Sequence, residues 1–203
     1  MRPRRRNMDD SRHISAYATT AVPDSPPSTR AIVLRKTKLT ETSLIVSFMT
    51  EDYGRMKAVA KGARKNKGAF SGHLDLFYLC EIRLRASQRS ELHTLVDARL
   101  VNAHGPIREH YPRLLFASYA AELIENATEP EHPSPELFHL LRRVFGYLSE
   151  KQPDRRALNF FEMEVCRATG ITPEVESQAS RELLRHLHKL PESRRELIAA
   201  LPG

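Results

Sequence analysis

The chain has 203 residues, 40% of them hydrophobic and 28% charged, with a formal net charge of +7 at pH 7. That is enough apolar material for one large domain or two small ones, and no run of roughly 18 apolar residues is present to make a membrane span. Cys80 and Cys166, the only two cysteines, are too few for a disulfide framework or a four-thiolate zinc site; their apolar surroundings predict buried free thiols, which suits a reducing cytoplasm.

The charge is unevenly placed. Residues 1–29 carry a net +2, residues 30–101 a net +7 and residues 102–203 a net −2. The middle segment is therefore the candidate nucleic-acid module, and the last is free for another task.

Residues 1–29 begin Met1-Arg-Pro-Arg-Arg-Arg6, contain Pro23, Pro26 and Pro27, and lack periodicity. They read as a disordered basic arm. No apolar h-region follows the arginines, which argues against a secretory signal. From residue 30 the period is two. Strands are predicted at 31–36, 43–50, 55–61, 74–85 and 91–101. The turn Glu51-Asp52-Tyr53-Gly54 joins the second and third as a hairpin. In the fourth, Leu76, Tyr78, Cys80, Ile82 and Leu84 share one side, and Glu81, Arg83 and Arg85 the other. Without a long crossover these strands are expected to be antiparallel throughout. A five-stranded OB barrel is the first choice of fold, and a small SH3-like barrel is the second.

The most informative segment is Gly54 to Gly68. Arg55, Lys57 and Lys61 point one way from an extended strand, and Met56, Ala58 and Ala60 the other. The glycine-bounded loop that follows carries Arg64, Lys65 and Lys67 with no acid. A strand with one basic face that runs into a basic loop suits a polyanion backbone; the bland alternative is a solvated strand and a flexible loop. Arg35, Lys36, Arg83 and Arg85 extend the candidate track. Tyr53 and Phe70 flank it as candidate stacking surfaces, or as turn and core packing.

After Asn102-Ala-His-Gly-Pro106 the period becomes 3.6. Pro112 opens a first helix. Ser134 is the expected cap of a second, which begins at Pro135. Pro153-Asp154 begins a third, which Gly170 stops. A fourth holds Leu183, Leu184, Leu187 and Leu190, and a short fifth holds Leu197, Ile198 and Leu201. The fold class is thus α+β: an OB-fold nucleic-acid domain at 30–101 followed by a helical bundle at 102–203. A groove between helices, rimmed by Arg113, Arg142 or Arg143, is a candidate site for an acidic, apolar peptide.

Several segments together resemble a known family. They are Ala31-Ile-Val-Leu-Arg-Lys36, Glu41-Thr-Ser-Leu-Ile-Val46, Tyr53-Gly54, Ala58-Val-Ala-Lys-Gly-Ala-Arg-Lys65 and Gly72-His-Leu-Asp-Leu-Phe77. Leu115 to Glu125, Asn159-Phe-Phe-Glu162 and Gly170-Ile-Thr-Pro173 add a looser match. In this order they resemble the RecO family of bacterial recombination mediators. The resemblance implies a protein that binds single- and double-stranded DNA and anneals strands. It also implies help in loading the RecA recombinase onto DNA coated by single-strand-binding protein. The implied partners are RecR and the acidic C-terminal tail of single-strand-binding protein, and the implied location is cytoplasmic, at the nucleoid.

The chain departs from the family at one module. Many members carry four zinc-binding cysteines after the Gly-Ile-Thr-Pro segment, where this chain has Glu174-Val-Glu-Ser-Gln-Ala-Ser180. His186 and His188, two residues apart on a predicted helix, do not share a face. No metal or cofactor is expected. The chain also ends early for the family, and its arm is long. No G-x-x-x-x-G-K-[ST] nucleotide loop is present, so a non-catalytic, electrostatic role is expected. An RNA-binding OB module of translation or ribosome assembly is the alternative, because both polymers present phosphates.

Overall fold

The computed structural model of the chain describes residues 28–65 and 67–202. The basic arm lies outside these residues apart from Ser28 and Thr29. Five strands, β1 (Thr29–Lys38), β2 (Leu44–Thr50), β3 (Gly54–Ala60), β4 (Leu79–Arg85) and β5 (Leu92–Asn102), form a closed barrel in the order β1-β2-β3-β5-β4. This is the OB arrangement. One pairing departs from the antiparallel expectation: Lys57–Val59 of β3 runs parallel to Leu92–Thr94 of β5. Closure requires it, because β4 lies on the far side of β5 and leaves two strands of like direction to meet.

The barrel interior is lined by the alternate residues of each strand, among them Val33, Val46, Phe48, Met56, Ala58, Ile82 and Leu84. Cys80 belongs to this core, and Phe70, from the long β3–β4 connection, joins it. The fourth strand begins at Leu79, later than its alternating pattern predicts. Phe77 adopts a left-handed φ of 67°, which breaks the extended run. Its ring leaves the barrel and packs edge-on against Phe145 at 5.4 Å.

A 3-10 turn at Gly105–Glu109 leads to α1 (Tyr111–Ala127), α2 (Pro135–Glu150), α3 (Arg155–Ala168), α4 (Ala179–Leu187) and α5 (Ser193–Ala200). Asp154 caps α3 by accepting a hydrogen bond from the Ala157 N–H at 2.7 Å. Ser134 precedes α2, but its hydroxyl donates to the His132 carbonyl instead of capping the helix. His188, at φ 60°, ends α4 before Leu190, and Leu184 stands exposed instead of packing inward. Glu162 is buried between α1, α3 and α5. It accepts hydrogen bonds from the Tyr119 hydroxyl and from Arg194 Nε, both at 2.6 Å. A carboxylate buried this deeply needs such partners.

The barrel and the helices share one core. Ile32, Leu34, Met49, Phe77 and Leu79 cluster with residues of α1 and α2, not with the barrel interior. Next to it β1 carries a bulge: Val33 pairs with Phe48 and Arg35 with Ser47, which leaves Leu34 as the extra residue. Leu34 and Arg35 therefore both face outward. The α1–α2 loop is bolted to β3. Arg55 Nε and Nη2 donate to the Thr128 carbonyl at 3.1 and 2.9 Å, and the Glu131 N–H donates to the Arg55 carbonyl at 2.9 Å.

Gly54, at φ +70°, sits under this loop, and a Cβ placed there would lie 1.8 Å from the His132 carbonyl oxygen. Gly54→Ala is therefore expected to cost about 2–4 kcal/mol in urea denaturation, through backbone strain and lost loop docking. Gly105→Ala, where an added Cβ meets nothing within 4 Å, should change stability by less than about 0.5 kcal/mol.

Candidate nucleic-acid interface

Strand pairing arranges the outer face of the barrel in transverse rows. Directly paired residues project to the same side of a sheet. Ile32, Met49 and Arg55 form one row, which the helical half covers. Arg35, Ser47, Lys57 and Leu92 form the next. Thr37, Ile45, Val59 and Thr94 form a third, and Arg85 extends it through its pairing with Thr94. The second and third rows floor a cleft of about 520 Å³, walled by Glu125 of α1 and by Ser90 and Glu91 of the β4–β5 turn.

The ten candidate cations divide by what already holds them. Lys57, Lys61, Lys65, Lys67 and Arg85 are exposed and have no side-chain partner among the described residues. Lys57 lines the cleft. Lys61 follows β3 on the same alternation, and Lys65 and Lys67 stand on the loop beyond it. That loop is a chain of tight turns: the Lys65 N–H donates to Gly62 and the Gly68 N–H to Lys65, each at 3.0 Å.

The other five are engaged. Arg55 is spent on the Thr128 carbonyl and is not part of an open track. Arg64 Nη1 donates to the carbonyls of Thr40 and Glu41 at 3.1 and 3.0 Å, so it ties the basic loop to the β1–β2 loop. Lys36, past the bulge, turns the opposite way from Arg35 and pairs with Asp75. Arg83 Nη2 lies 3.5 Å from Asp97. Arg35 Nη2 lies 2.8 Å from Glu125 Oε2. The two candidate stacking rings are placed elsewhere: Phe70 is in the barrel core, and Tyr53 lies at the other end of β3 from Lys61, roughly 25 Å along the strand.

Two cleft residues escape notice in the sequence, Ser47 and Glu125, which carry no positive charge. Arg89, in a turn that reads only as polar, is exposed beside the cleft-lining Ser90 and Glu91. Strand order is the signal that reaches this turn, since the β3–β5 pairing brings it to the cleft.

A second site lies in the helical half. Phe116, Leu140, Val144, Tyr147, Ala157, Phe160 and Phe161 line an apolar groove of about 560 Å³, with Arg143, Asp154 and Arg156 among its lining residues. Arg143 meets the expectation for a peptide groove. Arg113 is buried on α1, Arg142 is half-buried on α2, and neither lines the groove. Arg156 takes their place, one helical turn before Phe160, which is an exposed aromatic ring.

Among the described residues no group of three or more His, Cys, Asp or Glu is placed to hold a metal ion, and no helix is long and apolar enough to cross a membrane.

Fold and surface define a class: an OB barrel with an outer cleft beside a basic loop, fused to a helical half with an apolar groove. Residues 27–104 match the family model "Recombination protein O N terminal", and residues 108–193 match "Recombination protein O C terminal". The chain belongs to the RecO family. It is 33% identical over 145 residues to the DNA repair protein RecO of Syntrophus aciditrophicus, covering 71% of this chain and 56% of that protein. It is 34% identical over 143 residues to the DNA repair protein RecO of Rhodopirellula baltica, covering 70% and 53%. The match to that of Anaeromyxobacter dehalogenans strain 2CP-C is 33% over 148 residues, covering 73% and 58%. The chain thus spans a little over half the length of these relatives.

Neither thiol is poised for chemistry. Burial pushes Cys80 up to about 12 and Cys166 up to about 11. Iodoacetamide at about pH 8 should label neither in the native chain and both after unfolding, because the thiolate is the reactive form. Fast native labelling of Cys80 would show that the barrel opens, and of Cys166 that the helical core does.

Proposed function

We propose that this chain is a non-catalytic, DNA-binding recombination mediator in gap and double-strand-break repair. It binds single- and double-stranded DNA and anneals strands. With RecR it helps load RecA onto DNA coated by single-strand-binding protein. The observation that carries the reading is the set of exposed cations without a side-chain partner among the described residues, Lys57, Lys61, Lys65, Lys67 and Arg85, on a barrel of the RecO family.

The mechanism is electrostatic. Each cation that neutralises a phosphate releases condensed counterions, and this drives binding regardless of sequence. Charge screened on two strands at once lowers their repulsion, which favours annealing. The cleft suits a single strand, whose bases can meet the apolar Ile45 and Leu92 of its floor, while the exposed loop lysines can serve either form. The helical groove suits the acidic tail of single-strand-binding protein, with apolar side chains in the pocket and carboxylates at Arg143 and Arg156. DNA is thus assigned to residues 30–101 and protein partners to 102–203.

Fluorescence anisotropy with a single-stranded oligonucleotide tests the DNA reading. Five neutralised phosphates predict a log–log salt slope near −3.5, and Lys61→Ala/Lys65→Ala/Lys67→Ala should reduce its magnitude by about 2 for every sequence tried. A slope near zero would refute the reading. Competition by a matched RNA strand as strong as that by DNA would favour the RNA module instead.

Calorimetry tests the groove. A tail peptide should bind the whole chain at roughly micromolar affinity, since a short peptide loses ordering entropy. Arg143→Glu/Arg156→Glu should abolish that binding and leave single-strand affinity within about twofold. Unchanged peptide binding would remove the groove from the scheme.

A further inference from the structure

The cleft contains a cation that is not free. Arg35 lies in the floor row beside Ser47 and Lys57, yet its guanidinium is turned onto Glu125 at 2.8 Å. The two partners are unequal. The Arg35 side chain is 57% exposed and the Glu125 side chain only 10%. An exposed ion pair is weak and easily exchanged. A largely buried carboxylate deprived of its counterion is costly. The balance favours keeping Arg35 on Glu125.

The wall that carries Glu125 is rigidly placed. Residues just beyond it are clamped to β3 by the bonds from Arg55 to the Thr128 carbonyl. Glu131 accepts from His93 Nε2 at 3.1 Å, which ties the same loop to β5. Next to Arg35 in the row, the Ser47 hydroxyl is buried and has no hydrogen-bond partner among the described residues. A buried hydroxyl without a partner is uncommon, and this one lies where an anion that reached Arg35 would also meet it. Neighbours in a row stand about 5 Å apart.

We propose that Glu125 withholds Arg35 from DNA. It acts as a built-in competitor for the phosphate that the Arg35–Ser47 pair would otherwise bind, and so sets the affinity of the cleft for a single strand below its maximum. The inference rests on the cleft's being the DNA site. It makes Glu125 a determinant of affinity although it lies in the helical half and carries the charge of the ligand.

The test is a mutant cycle on the whole chain, read as salt-dependent binding of a single-stranded oligonucleotide. Glu125→Gln keeps the side chain's shape and removes its charge. It should tighten binding about three- to tenfold near 0.1 M salt and steepen the slope by about 0.7, the value for one further phosphate. Arg35→Ala alone should leave the slope within about 0.2, because the arginine is already occupied, and should lower affinity modestly, because the Glu125 carboxylate is left bare beside the strand. Glu125→Gln/Arg35→Ala should return to the parental values.

Two outcomes would overturn the proposal. If the double variant keeps the gain, Glu125 acts by plain repulsion and not through Arg35. If Arg35→Ala alone flattens the slope by about 0.7, the value for one phosphate, Arg35 already serves DNA. Lys57→Ala, which removes the lysine lining the cleft, is measured alongside. If it leaves the slope unchanged, the cleft reading has failed and this inference fails with it; if it flattens the slope by about 0.7 while Glu125→Gln does nothing, only the withholding idea is lost.

Discussion

The packing of the barrel's outer face on α1 and α2 is the constraint on which the other features depend. Ile32 and Leu34 reach it as alternate outward residues of β1. Without the bulge that follows, strict alternation would send Arg35 into the barrel, where a guanidinium could not be solvated. With it, Leu34 keeps its place in the shared core and Arg35 reaches the cleft wall. The same bulge reverses Lys36, which then pairs with Asp75 at the barrel mouth. One backbone irregularity therefore decides what lies beside that packing and which way two cations face.

Because the core is shared, the two halves are not independent bodies that happen to be linked. Ile32, Leu34, Met49, Phe77 and Leu79 would lie bare if the helices were removed, a patch large enough to promote association. The α1–α2 loop adds polar clamps at Arg55 and His93. The helix α1 lies at the centre of this arrangement. Its Phe116 lines the apolar groove and its Glu125 walls the cleft. Nine residues of helix separate them, about 13 Å. A rigid element that touches both sites is the physical means by which occupation of one can bear on the other.

Charge counts alone would overstate the DNA-binding surface. A cation already bonded to a carbonyl or a carboxylate has little left to offer a phosphate. Arg55 and Arg64 act as backbone clamps, and Lys36, Arg83 and Arg35 sit in ion pairs. The lysines of the Gly62–Gly68 segment remain open because no acid is folded against them. Planar arginines suit the clamping role, since one guanidinium can span two acceptors, while lysines suit exposed contact with phosphate.

Much was legible in the sequence because it depends on near neighbours. Period-two alternation in β3 separated Arg55, Lys57 and Lys61 from the barrel core. The absence of acids in the basic loop marked its lysines. Period-3.6 stripes located the helices, and Asp154 marked a true cap. Misreadings arose where local pattern and tertiary need disagreed. Phe77 continued an alternation that the backbone breaks, and Leu184 continued a stripe that has nothing to pack on. Arg113 is buried and does not line the groove, while Arg156 and the exposed Phe160 were passed over. Local order along the chain thus determined the strands, the helices and the sign of the surface. Which cations are free, that Ser47 and Glu125 belong to the cleft, and that β3 meets β5 in parallel were decided only by tertiary structure. Each depends on residues tens of positions apart being brought within a few ångströms, and spacing in sequence carries no record of that.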